Sequence, residues 1–337
     1  MRKVLFLAHT EADGTLSRNA LETLTAAKAL AEGLGGEFAA GLVGADVQAA
    51  ADSVASCGAS FYGVSGEAFG QSRYATDVNA CEALVKASGA DIVVAPATMR
   101  FSRALPGVAV RVDGRVDTHC TGVSVKDGKA VAERWFYRQR MKGELSRDER
   151  PWIVTLSPGC YEAFSGSGQA DVQAVEAESV TRSTVTGIKA PDVDEQTIRP
   201  DAEMLFVTGA GWTKKQGDGE IHVQRAEGVI KGFLDSTKAS LGSSKSLVDI
   251  SGEGQAVISF LTHLHQVGQT GSTPRHTKGL ATCCHGEEPH VVGWRFIQER
   301  RAINKDASCG WAQGKADVLY VGDAFEIMEK VNELLRD

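Results

Sequence analysis

The chain has 337 residues, 42% of them hydrophobic, which suffices for two ordinary α/β domains. Its formal charge of −7 argues against a nucleic-acid surface, which needs clustered Lys and Arg. No apolar run approaches the roughly 20 residues that cross a bilayer, so the expectation is a cytoplasmic protein without a transmembrane segment.

Val4–Ala8 follows Met1-Arg2-Lys3 as in a signal sequence, but it is too short and runs into His9, Glu11 and Asp13. It reads as a first buried strand. Ser17 is placed to cap a helix carrying Leu21, Leu24, Ala27, Leu30, Ala31 and Leu34, which Gly35-Gly36 ends. Phe38–Val43 is the next strand, followed by an alanine-rich helix, a helix around Ala80–Ala87, and a strand at Ile92–Ala95 bounded by Pro96. Such alternation implies βαβ units and a parallel sheet covered on both faces. Thr121–Val125 and Ala130–Tyr137 then form a hairpin around Asp127-Gly128, and Trp152–Leu156 is a closing strand. Residues 186–202, with two prolines, several charges and few apolar side chains, read as a linker. It separates an N-terminal domain (1–185) from a second α/β unit (203–337). That unit begins at Met204–Val207, contains a late strand at Asp317–Val321, and ends in an amphipathic helix with Phe325, Ile327, Met328, Val331, Leu334 and Leu335 on its apolar side. The seven cysteines are irregularly spaced, without a Cys-x-x-Cys, and read as free thiols.

Two segments invite a ligand. Gly209-Ala210-Gly211 follows a predicted strand, where a dinucleotide fold places its phosphate turn, but Lys214 stands in place of the third glycine; a tight turn is the competing reading. Gln266-Val267-Gly268-Gln269-Thr270-Gly271 packs two amides, a hydroxyl and two glycines into one loop. Such a loop brings backbone N–H groups close to a flat polar ligand, although a polar surface turn has the same composition.

That loop, followed by Ala302-Ile303-Asn304-Lys305-Asp306 and by Val321-Gly322-Asp323, resembles the alpha subunit of electron-transfer flavoproteins. Gly242–Asp249 (GSSKSLVD) is similar to the family's GASRAAVD, and Ala90–Thr98 and the stretch around Val116–Val123 also look like the family. The resemblance implies a Rossmann-like, adenine-nucleotide-hydrolase-like N-terminal sheet domain and a flavodoxin/Rossmann-like C-terminal domain that binds FAD. It implies that Gln266, Gly268, Gln269, Thr270 and Gly271 line the flavin, with the Thr270 hydroxyl near N5. Lys245 stands where the family has an arginine beside the ring, Ser244 near the phosphates or ribityl chain, and His290 near the flavin O2. His285 and Gly286 fall in the same cofactor segment, and Asn304 and Asp323 would hold the adenosine half. A cation over the ring and a histidine at its N1–O2 edge both favour the negative charge a flavin gains on reduction.

The implied role is an electron carrier without substrate turnover of its own. It would form a heterodimer with a beta subunit through the N-terminal domain, take electrons from a flavin-dependent dehydrogenase, and pass them to a quinone reductase or similar acceptor, with residues 186–202 as hinge. Several positions depart from the pattern. Trp212 replaces an arginine after the first glycine-rich turn, and Lys245 replaces the planar guanidinium. Cys283-Cys284-His285-Gly286-Glu287-Glu288-Pro289-His290 replaces the family's GISGAIQH. An insertion before Gln266 carries His263 and His265. Five of the eight histidines (His263, His265, His276, His285, His290) lie close to Cys283 and Cys284, and His263-x-His265 on one strand face would suit a metal. The alternative is therefore a subunit of a larger oxidoreductase complex with altered or lost FAD and a metal or structural role at Cys283–His290. Covalent attachment of a flavin to His or Cys is a further option. A nucleotide-dependent ligase is disfavoured, since residues 1–60 hold no phosphate-binding glycine loop.

Overall fold

The computed structural model describes residues 2–137, 141–187, 198–199, 202–249, 256–267, 276–284, 294 and 296–336. The chain divides into two compact units, Met1–Ile188 and Lys189–Asp337, each with its own sheet.

In the first unit the elements are β1 (Lys3–His9), α1 (Arg18–Gly33), β2 (Glu37–Gly44), α2 (Gln48–Ser53), β3 (Ser60–Ser65), α3 (Glu67–Gly70), α4 (Tyr74–Ser88), β4 (Ile92–Pro96), α5 (Met99–Arg111), β5 (Arg115–Lys126), β6 (Lys129–Phe136), β7 (Met141–Leu145), β8 (Trp152–Leu156) and β9 (Val172–Ala174). They build one sheet in the order β7-β6-β5-β8-β4-β1-β2-β3-β9. From β5 to β9 every neighbouring pair is parallel, and β6 and β7 extend the edge antiparallel. The central strands β1, β4 and β8 are apolar runs because helices cover both faces. Alternate β1 side chains feed two cores: Val4, Phe6 and Ala8 pack with α1, Leu5 and Leu7 with α4 and α5. Ser17 caps α1 as expected, its Oγ accepting from the Ala20 N–H at 3.2 Å. Asp127 and Gly128 both have positive φ (51° and 70°), the backbone that a two-residue type I′ hairpin requires.

The second unit comprises β10 (Met204–Thr208), α6 (Val223–Thr237), β11 (Ser240–Ser243), α7 (Lys245–Asp249), β12 (Lys278–Thr282), β13 (Glu299–Asn304), α8 (Gly310–Lys315), β14 (Val318–Val321) and α9 (Ala324–Leu334). Its five strands are all parallel, in the order β11-β10-β12-β13-β14. Counted within the unit this is 2-1-3-4-5, the flavodoxin-like doubly wound order, whose switch point lies between the first and third strands. One face is covered by α6 and α9 through Val229, Ile230, Phe233, Phe325 and Met328; the other holds Trp294, Trp311 and Ala312. Both units are thus α/β, as the strand and helix alternation implied.

Three local expectations change. The C-terminal helix buries Phe325 and Met328, but Leu334 and Leu335 at its end are 64% and 45% exposed, so the apolar stripe is shorter than the sequence suggests. His263–His265 is a 3-10 turn rather than a strand. Thr262 caps it, its Oγ1 accepting from the Leu264 N–H, while the buried His265 Nδ1 accepts from the Thr262 N–H at 3.1 Å. The two imidazoles therefore share no strand face. Within the predicted linker, Ile198 is buried in the core of the second unit, and the Arg199 N–H donates to Ser240 Oγ at 2.7 Å. No described helix is long and apolar enough to cross a membrane.

Candidate cofactor-binding site

The described residues among those nominated from sequence gather at one end of the second sheet. Ser244 directly follows β11, Lys245 opens α7, Gln266 forms a parallel bridge with Ser243, Asn304 closes β13, and Asp323 follows β14. All lie at the carboxyl ends of the strands, where doubly wound folds bind ligands. Gly268, Gln269, Thr270, Gly271, His285, Gly286 and His290 lie outside the described residues.

A cavity of about 370 Å³ opens at this edge. Ala210, Gly211, Lys214, Lys215 and Gln216 line it from the β10 side, Cys283 from β12, Asn304 and Lys305 from β13, and Asp323 and Phe325 from β14. Ser246 of α7 completes one wall. Ser244, Lys245 and Gln266 stand outside this lining. The Ser244 N–H donates to Thr208 O at 2.8 Å and its side chain is fully buried, with Oγ 3.4 Å from Ser246 Oγ. Lys245 is exposed.

The glycines after β10 answer a packing demand. A Cβ on Gly209 would lie 2.2 Å from the Cys283 carbonyl oxygen and 2.6 Å from Cys284 Cα. One on Gly211 would lie 2.7 Å from Cys283 Cβ. The turn after β10 and the chain leaving β12 are pressed together, and only glycine permits that approach. The Gly209 N–H donates to Thr282 O at 2.8 Å and the Gly211 N–H to Cys283 O at 3.2 Å. Cys283 itself adopts φ 57°, a left-handed conformation uncommon outside glycine. Trp212 is fully buried: its Nε1–H donates to Thr282 Oγ1 at 2.8 Å, and its ring stacks edge-on against Phe325 with centroids 4.6 Å apart. It belongs to the core.

Asn304 is a strut. Its Nδ2 donates to Cys284 O at 2.8 Å and its Oδ1 accepts from the Asp306 N–H at 3.0 Å, joining the ends of β12 and β13. Asp323 has two duties. Oδ1 accepts from the Phe325 and Glu326 N–H groups at 2.8 and 3.3 Å, capping α9, while Oδ2 pairs closely with Lys305. Burial alone would raise its pKa, but the Lys305 contact and the two N–H donors outweigh burial and hold the carboxyl below its ordinary value. The hydrogen bond to Asp323 raises Lys305 correspondingly. Burial, with the Asp323 charge adding to it, pushes the Cys283 thiol up to about 12, so it stays protonated at neutral pH.

Two buried polar atoms here have no hydrogen-bond partner among the described residues: Gln266 Nε2 and Ser243 Oγ, on residues 1% and 0% exposed. Unsatisfied buried donors of this kind call for a polar ligand or an ordered water. They lie at the same carboxyl edge as the cavity but outside its lining, which carries Lys214, Lys215, Lys305 and the Asp323 carboxylate. Among the described residues, no group of three or more His, Cys, Asp or Glu is placed to hold a metal ion. His276 instead contacts Arg199 O through Nε2 at 2.7 Å.

Comparison with known proteins gives this edge of the sheet a family context. The model of the electron transfer flavoprotein domain matches residues 4–180, just over half of the chain. The chain belongs to the electron transfer flavoprotein family. An electron transfer flavoprotein subunit alpha of Thermoanaerobacterium thermosaccharolyticum is 24% identical over 346 aligned positions, spanning 99% of this chain and 98% of that one. Protein FixB of Escherichia coli O1:K1 / APEC is 26% identical over 252 residues, spanning 72% of this chain and 74% of FixB. FixB of Escherichia coli strain K12 / DH10B is 26% identical over 259 residues, spanning 74% and 76%. The family-model match lies within the first unit; likeness across the whole of both units is carried by the relative aligned along the full length. This electron transfer flavoprotein is an alpha-type member. Sequence reading took Lys214 only as a missing glycine and passed over Lys215 and the role of Lys305. The signal available was a Lys-Lys pair just beyond a glycine turn at a strand's carboxyl end.

Proposed function

We propose that the chain binds FAD at the carboxyl edge of its second sheet and works as the alpha subunit of an electron-transfer flavoprotein. The observation that carries this reading is spatial. Asn304 and Asp323 border a cavity with basic side chains at the carboxyl ends of parallel strands, and Ser244, Lys245 and Gln266 lie along the same edge outside its lining. Ser244, Lys245, Gln266, Asp323 and the segments 268–271 and 285–290 would hold the cofactor, with Asn304 keeping the β12 and β13 ends in register. Bound there, FAD supplies reversible one- and two-electron chemistry at its ring. Lys245 and His290 would offer positive charge and a hydrogen bond to the ring's polar edge, and Thr270 would hold a proton near N5. Residues 1–185 would pair with a beta subunit, 186–202 would act as hinge, and 203–337 would carry the cofactor. Electrons would come from a flavin-dependent dehydrogenase and leave to a quinone reductase or similar acceptor, in the cytoplasm, with no turnover by this chain alone.

The test is to co-purify the chain with a beta-type partner and record its visible spectrum. A flavin spectrum, with FAD identified chromatographically after acid release, is the expected result. Bound metal without flavin, or a colourless complex that takes up no added FAD, would overturn the reading.

A further inference from the structure

We propose that Lys214 and Lys215 are the phosphate-binding cations of this site, selecting the diphosphate of an adenine dinucleotide. The inference rests on the FAD reading above and gives a role to two lysines to which neither the motifs nor the family resemblance assigned one.

Phosphate turns after a first β-strand ordinarily present free backbone N–H groups to the anion. Here the Gly209 and Gly211 N–H groups are taken by the Thr282 and Cys283 carbonyls. Trp212, standing where a cation was expected, is buried against Phe325 with its only donor on Thr282. With both glycine N–H groups and residue 212 engaged, the positive charge that neutralises a phosphate has to come from other side chains. The 3-10 turn Ala210–Thr213 stops at Lys214, whose extended backbone (φ −91°, ψ 161°) carries the chain along the cavity wall. Gln216 fixes that path: its Nε2 donates to Gly211 O at 3.1 Å and to Lys214 O at 2.7 Å.

The cavity's charge matches the proposed ligand. Lys214, Lys215 and Lys305 face one carboxylate, Asp323, and only Lys305 is paired with it. Neither Lys214 nor Lys215 has a carboxylate partner among the described residues. Among the described residues, two positive charges without a carboxylate partner thus border the cavity in a chain of formal charge −7. A diphosphate diester brings two negative charges, and a focused positive site on an acidic protein attracts such an anion while its surroundings repel others. The Asp323 carboxylate is suited to accept from ribose hydroxyls, as acidic residues at strand ends do in related folds.

The experiment titrates ADP, and separately inorganic pyrophosphate, into the flavin-free full-length chain by calorimetry at two salt concentrations. The wild type is compared with Lys214→Ala/Lys215→Ala and Lys214→Arg/Lys215→Arg. Each lysine lost should weaken ADP about tenfold, hence about a hundredfold for the double variant, and should flatten the salt dependence. The arginine pair should retain binding. ADP that ignores the wild type, or binds the alanine pair as tightly, overturns the assignment. Retention of FAD by the alanine pair together with unchanged ADP affinity would sink the lysines and leave the FAD reading standing. Lysine-dependent ADP binding in a chain that never takes up flavin, alone or with its partner, would keep the phosphate site and remove the FAD reading.

Discussion

Asp323 separates a structural role from a cofactor role, because its two oxygens do different things. Oδ1 caps α9 by accepting two backbone N–H groups, and Oδ2 pairs with Lys305. Replacing a capping Asp by Ala costs about 1 kcal/mol within a range of about 0.5–2. The ion pair adds little, at most about 0.5–1 kcal/mol, since the Lys305 side chain is 52% exposed and screened. Asp323→Ala should therefore destabilise the flavin-free second unit by about 1.5–2 kcal/mol. Asp323→Asn keeps a capping oxygen and loses only the charge, so it should cost under about 1 kcal/mol. The native carboxyl is held below its ordinary value, so its contribution is complete above the unfolded pKa, near 3.9, and disappears as pH falls through the lower native value. The gap between wild type and Asp323→Asn should thus be constant from about pH 5 to 8 and close below about pH 4. Urea denaturation followed by tryptophan fluorescence across that range measures all three proteins. Equal losses for Ala and Asn, or a gap that persists in acid, would refute the division of labour between the two oxygens. Asp323→Ala should also loosen FAD in the complex, and the drop in retained flavin should exceed that of the Asn variant.

Further outcomes follow from other parts of the molecule. Burial, aided by the Arg100 charge, lowers His9 from 6.5 to about 4, so the native state disfavours its protonation. Stability of the first unit should be complete above about pH 6.5 and fall by about 3 kcal/mol as pH drops toward 4, a loss that His9→Gln should largely abolish in acid denaturation curves. Gly209→Ala should cost about 1–3 kcal/mol in the flavin-free chain, because its Cβ meets the Cys283 carbonyl; a penalty seen only with FAD bound would mean that the glycine serves the cofactor instead. Thr270→Ala should shift the flavin's reduction potential in spectroelectrochemistry while leaving FAD content near that of the wild type; unchanged potential would remove Thr270 from the ring's N5 edge.

The elements that were plain in the sequence are those whose cause is local. Val4–Ala8 and Ile92–Ala95 are continuous apolar runs, and Trp152–Leu156 nearly so, because both faces of the central strands are buried, and Ser17 and Asp127-Gly128 announce their cap and turn by residue type. What was harder to read depends on distant partners. Helix α4 begins at Tyr74, ahead of its obvious apolar stripe, because Thr76 and Asp77 are buried polar residues satisfied by Val180 and Arg100. β9 has only three residues and forms by pairing with β3, a partner more than a hundred positions earlier. The His263–His265 turn follows from a reciprocal cap with Thr262 that an alternating pattern does not announce. At the site, motif reading found the strand ends but could not tell a phosphate glycine from a packing glycine; that distinction lies in the approach of Cys283, 74 positions from Gly209.

This approach also explains how a tryptophan can stand at position 212. In a sheet of order 2-1-3-4-5 the crevice between β10 and β12 is the natural ligand entry. Here its floor is closed by the Cys283–Cys284 backbone on the two glycines, with Trp212 and Phe325 packed beneath. The diphosphate of the proposed cofactor would then lie farther toward β13 and β14, where the cavity opens between the Lys214-Lys215 segment and the Lys305–Asp323 pair. A cation at position 212 would be buried in an apolar core, which is costly without a partner. A cation two or three residues later remains solvated and still faces the cavity. Moving the charge from the turn to the wall exchanges fixed backbone donors for flexible ammonium groups. Cofactor affinity in this chain should accordingly depend more on ionic strength than it would with a glycine-rich phosphate turn.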